Sequence, residues 1–352
     1  MTHTVFDLNQ LGWGPFYLQQ LSLEEWEATY PARVSGVRRK NLTLISEAGT
    51  VKTTIPGSWF QNDAAELPTV GDWLLMDKET DVPVRMLNRK SSLQRRAPGK
   101  GAQLQSLAAN IDTLFIVTSC NNDFNQSRIE RYLTLALAAG VTPVMVITKS
   151  DMAEDADEFA RQAKRIRQSM EVCTVNALDA DSVATLHCWC ETGQTLALVG
   201  SSGVGKSTLV NTLSGAAVQA TGAIREDDSR GRHTTSERSL HFLPSGAILI
   251  DTPGIRELQL ADCEEGLALA FDDIEQLASS CRFSNCTHQH EAECAVKAAV
   301  RTGRLEARRL ENYLKILQEQ ERNTLSIAEK RNKDATFAKM CRQTMAARKK
   351  RK

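Results

Sequence analysis

A glycine-rich stretch near the middle of the chain has the residue types that bind phosphate groups. It reads Gly-Ser-Ser-Gly-Val-Gly-Lys-Ser over positions 200–207, follows an apolar run at 195–199 and precedes a helix-like run. Glycines let backbone N–H groups approach phosphate oxygens, and a helix N-terminus adds a partial positive charge. Lys206 would reach the β- and γ-phosphates, and Ser207 would ligate Mg²⁺. A chance match is the alternative, and the flanking strand and helix argue against it. The predicted phosphate-binding residues are Gly200, Ser201, Ser202, Gly203, Val204, Gly205, Lys206, Ser207 and Thr208.

Two further segments could complete a phosphate and magnesium site. Asp251-Thr-Pro-Gly254 follows the apolar run 247–250, so Asp251 could hold Mg²⁺ through water and Gly254 could donate its N–H to a γ-phosphate. An ordinary Pro-Gly turn is the alternative for this tetrapeptide taken alone. Residues 230–235 lie between the two segments and contain two threonines, of which Thr235 is the predicted Mg²⁺ ligand beside Ser207.

A third motif lies upstream and bears on which base is bound. Thr148-Lys149-Ser150-Asp151 follows the apolar run 143–147 and resembles the [NT]-K-x-D motif of GTPases. The Asp151 carboxylate can accept two hydrogen bonds, from guanine N1–H and from its exocyclic amine, which adenine cannot supply together. The tetrapeptide is weak evidence alone, but beside a phosphate loop it favours GTP over ATP.

Three cysteines and a histidine fall within fourteen residues near the C-terminus. Cys281, Cys286, His288 and Cys294 offer the donor set of a tetrahedral structural zinc site. Buried cysteines near a surface histidine are the alternative, and His290 is a competing ligand. The chain has nine cysteines, an odd number that argues against a disulfide framework. The remaining six have no partner at useful spacing, and Cys188-Trp-Cys190 is predicted to lie in the core.

The elements that must position these residues alternate between strands and helices. Apolar runs at 113–118, 143–147, 171–175, 195–199 and 247–250 predict five strands, so a mostly parallel sheet covered on both faces is expected. A capping box at Ser127 and Glu130 predicts the start of the helix that follows the first of these strands. The chain turns helical after residue 262, with a late amphipathic helix around 310–317.

The N-terminal part has a different pattern. Short runs at 32–37, 41–46, 51–55, 72–76 and 84–87 are separated by turn residues, which predicts a small β domain, with an oligonucleotide-binding (OB) barrel as one option. A short helix is expected around 22–30, before the first of these strands.

Composition limits the class of protein. The 352 residues are 41% hydrophobic and 24% charged, as in multi-domain globular proteins, and no apolar run is long enough to span a membrane. The first residues lack the features of a signal peptide, so a cytoplasmic location is expected. The net charge of zero conceals a basic tail, because residues 330–352 carry ten Lys or Arg and one acid. Such a tail is typical of nucleic-acid binding, although it could instead be solubilising or pair with the acidic body.

The order of the motifs differs from that of most GTPases, because the base motif precedes the phosphate loop. This order resembles the circularly permuted GTPases, and specifically the ribosome-small-subunit-dependent GTPase A family (RsgA/YjeQ). The resemblance covers nearly the whole chain, and it is carried by residues 109–112, 131–133, 148–151, 200–207, 231–235 and 251–254 together with the cysteine cluster. Thr148 in place of the commoner Asn, and Asn176-Ala177 in place of Ser-Ala, depart from the family pattern and bear on nucleotide affinity.

The resemblance implies a multi-domain fold: a circularly permuted α/β P-loop GTPase with an N-terminal OB-like β-barrel and a C-terminal α-helical zinc-binding domain. The expected divisions are an extension over 1–31, an RNA-binding barrel over 32–100, the GTPase domain over 101–262, the zinc domain over 263–329 and the tail over 330–352. The implied cofactors are one structural zinc and Mg²⁺ bound with GTP.

The implied function is hydrolysis of GTP to GDP by a late assembly factor of the small ribosomal subunit, with 16S rRNA as a contact, no membrane and a monomeric chain. A GTP-regulated module on another RNA is the first alternative, and an ATP-using enzyme is the second. Ile255 follows the 251–254 motif where a Ras-like GTPase has its water-orienting Gln, so slow intrinsic hydrolysis stimulated by the ribosome is expected. His233 is the candidate catalytic residue that positions water, or else it contacts phosphate or packs in its loop.

Overall fold

The computed structural model describes residues 6–61, 63–96, 104–215, 238–251 and 263–321, and every structural statement below concerns these residues. His233, Thr235, Gly254, Ile255 and the basic tail lie outside the described residues. So does the side chain of Asp251, whose backbone ends a strand.

The described strands and helices have the following bounds. The strands are β1 (Thr29–Arg38), β2 (Asn41–Ser46), β3 (Gly49–Thr54), β4 (Trp73–Asp77), β5 (Pro83–Met86), β6 (Ser92–Arg96), β7 (Leu104–Ala109), β8 (Thr113–Ser119), β9 (Thr142–Thr148), β10 (Glu171–Thr174), β11 (Thr195–Val199), β12 (Arg238–Phe242) and β13 (Ile248–Asp251). The helices are α1 (Pro15–Leu18), α2 (Leu23–Ala28), α3 (Gln126–Ala138), α4 (Ala156–Ile166), α5 (Ala180–Val183), α6 (Lys206–Ser214), α7 (Glu264–Ala270), α8 (Asp272–Ala278), α9 (Ala295–Arg301) and α10 (307–321). Short 3₁₀ helices span Gly57–Gln61, Ala64–Glu66, Ser150–Met152 and Ala184–Trp189.

The five predicted strands form one parallel sheet in the order β10-β9-β8-β11-β13. The β8 side chains alternate between its faces: Leu114 and Ile116 join the core beneath α3, α4 and the C-terminal helices, whereas Phe115 and Val117 join the core beneath α5 and α6. Burial on both faces explains why these strands are apolar runs rather than alternating ones. The predicted parallel sheet covered on both faces is therefore confirmed.

Three features of the central domain differ from the sequence predictions. The β6–β7 pair and the antiparallel strand β12, which lies beside β13, were not predicted from the sequence. The predicted capping box is wrong. Asn125 is the N-cap of α3, and its side chain accepts a hydrogen bond from Arg128 N at 3.0 Å. Glu130 is fully buried and pairs with arginines of α10 instead.

The N-terminal β domain is an antiparallel sheet with strand order β3-β2-β1-β4-β5. One face buries an apolar core that includes Val34, Leu44 and Leu74. The other face packs against the N-terminal segment through Leu11, Tyr17, Trp73, Leu75 and Leu87. No ladder between β3 and β5 is present among the described residues, so closure into an OB-like barrel stays a prediction. The predicted helix before β1 is present as α2, with Ser22 and Glu25 forming its capping box.

The β domain and the central sheet are continuous. Strand β1 pairs with β12 through Gly36 opposite Ser239 and Val37 opposite Arg238. Near this junction the buried guanidinium of Arg33 donates hydrogen bonds to Leu11 O, Gly71 O, Asn110 O and Thr195 Oγ1, at 2.6–3.3 Å. These acceptors come from the N-terminal segment, the β domain and the central domain, so one side chain joins three parts of the chain.

The C-terminal helices share a core with the central sheet and are held to α3 by buried charges. Glu130 is fully buried and accepts hydrogen bonds from Arg308 and Arg309 of α10, each at 3.0 Å. Arg309 also pairs with Asp273 of α8, with an Nη2–Oδ1 distance of 2.7 Å. A buried charge is stable only when it is paired and hydrogen-bonded, as Glu130 is here. No helix in the described ranges is long and apolar enough to cross a membrane.

Candidate nucleotide and metal sites

The predicted phosphate loop connects the end of β11 to the start of α6. Gly200 has φ +150°, and a Cβ there would lie 2.2 Å from Val117 O. Gly205, the residue before α6, has φ +89°, in the left-handed region that favours glycine. The sequence places glycine where the backbone needs it, and the loop ends on the first turn of a nine-residue helix.

The lysine of this loop is folded back over it. Lys206 Nζ donates to Gly200 O at 2.9 Å and to Ser201 O. The ammonium group therefore lies above the concave side of the loop, where a nucleotide phosphate would offer it charged oxygens in place of neutral carbonyls. Ser207 is half-buried in the same turn of α6.

The base motif lies at the carboxyl end of β9, on the same edge of the sheet as the phosphate loop. Lys149 has φ +59°, which turns the chain out of the strand, and Asp151 is exposed in the following 3₁₀ helix. The 176–177 loop lies alongside, since Ser150 N donates to Val175 O at 3.3 Å and Thr212 Oγ1 of α6 donates to Ala177 O at 2.6 Å. Ligands of open α/β sheets bind at this edge.

Thr148 connects the base motif to the phosphate loop. Its fully buried hydroxyl lies 3.0 Å from Thr118 O and 2.6 Å from Val204 O, and its one hydrogen serves these two carbonyls. A Cβ atom at Gly205 would lie 3.3 Å from Thr148 Oγ1, so the two residues are in close contact. The threonine that departs from the commoner Asn thus makes a direct hydrogen bond between the two motifs.

One residue near the phosphate loop lies outside the predicted motifs. Arg128, in the first turn of α3, donates from Nη1 to Ser201 Oγ. No local signal marks it, because the contact joins residues 73 positions apart.

The four predicted metal ligands converge on one point. One donor atom from each of Cys281, Cys286, His288 and Cys294 lies within 4.8 Å of all the others. Cys281 Sγ is 3.8 Å from Cys294 Sγ and 3.7 Å from His288 Nδ1, and His288 Nδ1 is 3.4 Å from Cys294 Sγ. Tetrahedral Zn²⁺ with bonds of about 2.3 Å to sulfur requires sulfurs about 3.8 Å apart, so this donor set fits the metal. His290, the competing ligand, is not in the group.

The surroundings shift the pKa values of the proposed metal ligands in different directions. Burial lowers the pKa of His288, which keeps its imidazole neutral. Burial raises the pKa of Cys281, but hydrogen bonds with the backbone of Val296 and Ala295 and with the Cys294 and Cys286 side chains together outweigh it, so the net shift is downward. Burial raises the pKa of Cys286 to about 11, so a bound metal would have to displace the proton of that thiol. A neutral imidazole and thiolates are the ligand forms that bind zinc.

The cysteines at 188 and 190 differ in burial. Cys190 is buried, and burial raises its pKa to about 12, as expected for a core thiol. Cys188 is exposed, so the prediction that it lies in the core is wrong. The intervening Trp189 packs its ring against Phe115, so the tryptophan and Cys190 face the core.

Comparison with known proteins places the chain among GTPases. A family profile described as "RsgA GTPase" matches residues 86–261, and one described as "50S ribosome-binding GTPase" matches residues 195–330. The protein named "Small ribosomal subunit biogenesis GTPase RsgA 2" from Vibrio parahaemolyticus is 49% identical, with 99% of this chain and 98% of that protein covered. The "Small ribosomal subunit biogenesis GTPase RsgA" of Mesorhizobium japonicum is 46% identical over 90% of this chain and 91% of its own length.

Two solved structures have the same fold. YjeQ from Thermotoga maritima aligns with a TM-score of 0.61 at 24% identity, covering 83% of this chain and 98% of that protein. YloQ, described as a circularly permuted GTPase, aligns with a TM-score of 0.59 at 24% identity, covering 83% and 95%. The permuted order predicted from the motifs is confirmed at the level of the fold.

Proposed function

This chain belongs to the RsgA GTPase family, and from that premise we propose that it hydrolyses GTP in a late step of small ribosomal subunit biogenesis. Its membership and its fold make it a GTP hydrolase. The curated relatives that match almost end to end are named for biogenesis of the small ribosomal subunit. The proposed setting is the cytoplasm, with a monomeric chain that contacts 16S rRNA.

The observation that carries the proposal is the Thr148–Val204 hydrogen bond, which holds the base motif against the phosphate loop. This hydrogen bond supports a single nucleotide site in which the base motif binds the guanine and the phosphate loop binds the phosphates. We assign the guanine end to Thr148, Lys149, Ser150 and Asp151, and the phosphate end to residues 200–208 together with Asp251 and Gly254. Asp151 accepts hydrogen bonds from the base, and Lys206 turns from the loop carbonyls to the β- and γ-phosphates.

Mg²⁺, when bound with GTP, would neutralise charge on the β- and γ-phosphate oxygens. Ser207, on the first turn of α6, is the proposed ligand in the described part of the chain, and Thr235 is the second proposed ligand. The protein's own part in binding is to direct the N–H groups of the loop and the start of α6 at the phosphates.

We assign zinc to the cysteine and histidine group because its three sulfurs and one nitrogen leave no ligand position open. A closed four-ligand site is structural, and its metal adds folding free energy. The site would hold the 281–294 loop against α9, since Cys294 is the N-cap of that helix and its Sγ accepts from Lys297 N at 3.4 Å.

The β domain supplies a surface suited to RNA. Arg38 ends β1, and the β1–β2 turn carries Arg39 and Lys40. Lys40 Nζ lies 5.1 Å from the centre of the exposed Phe60 ring. Cations beside an exposed aromatic ring combine phosphate attraction with a stacking surface for bases. This arrangement supports rRNA contact by the β domain as well as by the basic tail.

The test is the GTPase rate of the purified protein with and without purified small ribosomal subunits. Slow hydrolysis alone and faster hydrolysis with small subunits are expected, with large subunits and ATP as controls. Equal stimulation by an unrelated RNA would favour the alternative, a GTP-regulated module on another RNA. Hydrolysis of ATP as fast as GTP would overturn the assignment of the base motif.

A further inference from the structure

We propose that Arg128 contacts the γ-phosphate of bound GTP and stabilises the charge that develops there during hydrolysis. The inference rests on the proposed nucleotide site and adds to it a cation from α3, an element that lies outside the motifs. Arg128 is exposed, and its Nη1 donates to Ser201 Oγ of the phosphate loop. The guanidinium therefore lies on the phosphate loop.

Two cations meet at Ser201. Lys206 Nζ contacts its backbone oxygen, and Arg128 contacts its side-chain oxygen. In loops of this kind the lysine serves the β- and γ-phosphates rather than the α-phosphate. An arginine that shares a loop residue with that lysine is therefore close to the end of the nucleotide where hydrolysis occurs.

Arg128 has no carboxylate partner among the described residues, in contrast to the other arginines at this interface. Arg131 is held by Glu319 with an Nη1–Oε2 distance of 2.7 Å, and Arg308 and Arg309 are held by Glu130. The Arg128 guanidinium donates to a neutral hydroxyl. A phosphate would accept two charge-assisted hydrogen bonds from the same planar group, which is a much stronger interaction.

The backbone of α3 is fixed in the region that carries Arg128. Asn125 caps the helix, Glu130 is buried against α10, and Arg131 pairs with the far end of α10. A charge carried on a rigid element needs little reorganisation when the transition state forms, and this is the condition under which electrostatic stabilisation of a reaction is large.

Hydrolysis of GTP develops negative charge that a cation such as Arg128 could stabilise. A water oxygen forms a bond to the γ-phosphorus, the bond from that phosphorus to the β–γ bridging oxygen breaks, and GDP leaves with the bonding electron pair. The water proton ends on the released phosphate, and Arg128 stays protonated throughout. Negative charge is spread over the transferred phosphoryl oxygens at that point, and an arginine supplied within the chain accelerates the step in other GTPases.

The test compares Arg128→Ala and Arg128→Lys with Arg165→Ala, an exposed arginine of α4, as the matched control. Single-turnover GTP hydrolysis is measured with and without small subunits, together with the affinities for GDP and for GDP with aluminium fluoride, which mimics the transferred phosphoryl group. For Arg128→Ala we expect hydrolysis to fall by about tenfold or more and aluminium fluoride binding to weaken in parallel, with GDP affinity unchanged. Arg128→Lys should restore part of the rate because it keeps the charge but not the two-pronged geometry.

Three results would overturn the inference: wild-type hydrolysis in Arg128→Ala, an equal loss of GDP affinity, which would mark a structural role, or the same rate loss in Arg165→Ala. If the assignment of the nucleotide site were itself wrong, a different measurement would show it. In that case Lys206→Ala would leave GTP and GDP affinity unchanged whatever Arg128 does.

Discussion

Replacing Glu130 with alanine should loosen the C-terminal helices from the central domain. The carboxylate is fully buried and accepts hydrogen bonds from Arg308 and Arg309, so its removal leaves two guanidinium groups short of a partner. Breaking a buried charge pair from one side costs about 3–5 kcal/mol. In the variant Arg309 would still pair with Asp273, and the Arg308 side chain, which is 35% exposed, could be hydrated. We therefore expect a cost at the lower end of this range.

A loss of about 3 kcal/mol corresponds to a fall in melting temperature of about 6–12 °C for a folding unit of about 150–250 residues, such as the central domain with the C-terminal helices. The measurements are thermal unfolding of the metal-loaded protein and hydrogen exchange of α10. Exchange should accelerate in α10 and stay slow in β8 and β9, whose side chains are buried on both faces of the sheet.

Glu311→Gln is the matched control. Glu311 lies on the same helix, but it is exposed and its partner among the described residues is the exposed Lys315, so its loss should not change the melting temperature measurably. The prediction is wrong if Glu130→Ala has the melting temperature of the wild type and its α10 amides exchange as slowly, or if the two variants lose equal stability.

The remaining predictions concern the two proposed sites. Asp151→Asn should weaken GTP binding strongly and leave XTP usable, because the amide offers a donor where guanine requires an acceptor; competition binding with both nucleotides tests this, and unchanged GTP affinity rejects the base motif. Thr148→Val should lower GTP affinity by about tenfold, since a hydrogen bond worth about 1–1.5 kcal/mol joins the motifs, and equal affinity by calorimetry would show that packing alone holds them together. Cys286→Ala, or a chelator, should release one zinc per chain and expose the 281–294 loop to protease; purified wild-type protein without zinc in reducing buffer contradicts the assignment. His233→Ala should bind GTP and small subunits but lose stimulated turnover, and full stimulation would show that His233 is not catalytic.

The phosphate loop and the proposed metal group could be predicted from the sequence because each lies in one short stretch. A strand, a glycine turn and a helix start adjoin one another around residues 200–207, and the four metal ligands span fourteen positions. The central strands were accessible for a similar reason, since burial on both faces produces unbroken apolar runs. The predicted boundaries of these central strands differ from the observed ones by no more than one residue, whereas β1 of the N-terminal β domain begins at Thr29 rather than at 32.

The interactions that join distant parts of the chain were not accessible. Glu130 has the spacing of a capping box with Ser127, and only the presence of α10 shows that its carboxylate is buried against arginines 178 and 179 positions away. The sequence around Arg33 does not indicate that its side chain is buried, because its hydrogen-bond acceptors lie up to 162 positions away along the chain. Strand β12 was missed because its five residues include Arg, Ser and His and lack an apolar run.

The pairing of β1 with β12 limits which fragments of this protein can fold independently. A shortened chain that began near β6 would leave the outer edge of β12 without its β1 partner, and Phe242 without the ring of Phe6, whose centre lies 4.3 Å away. It would also remove Arg33 from Asn110 O and Thr195 Oγ1. An uncovered strand edge invites pairing with another chain, so such a fragment is expected to self-associate. The N-terminal domain is thus part of the sheet it adjoins and cannot be exchanged as an independent module.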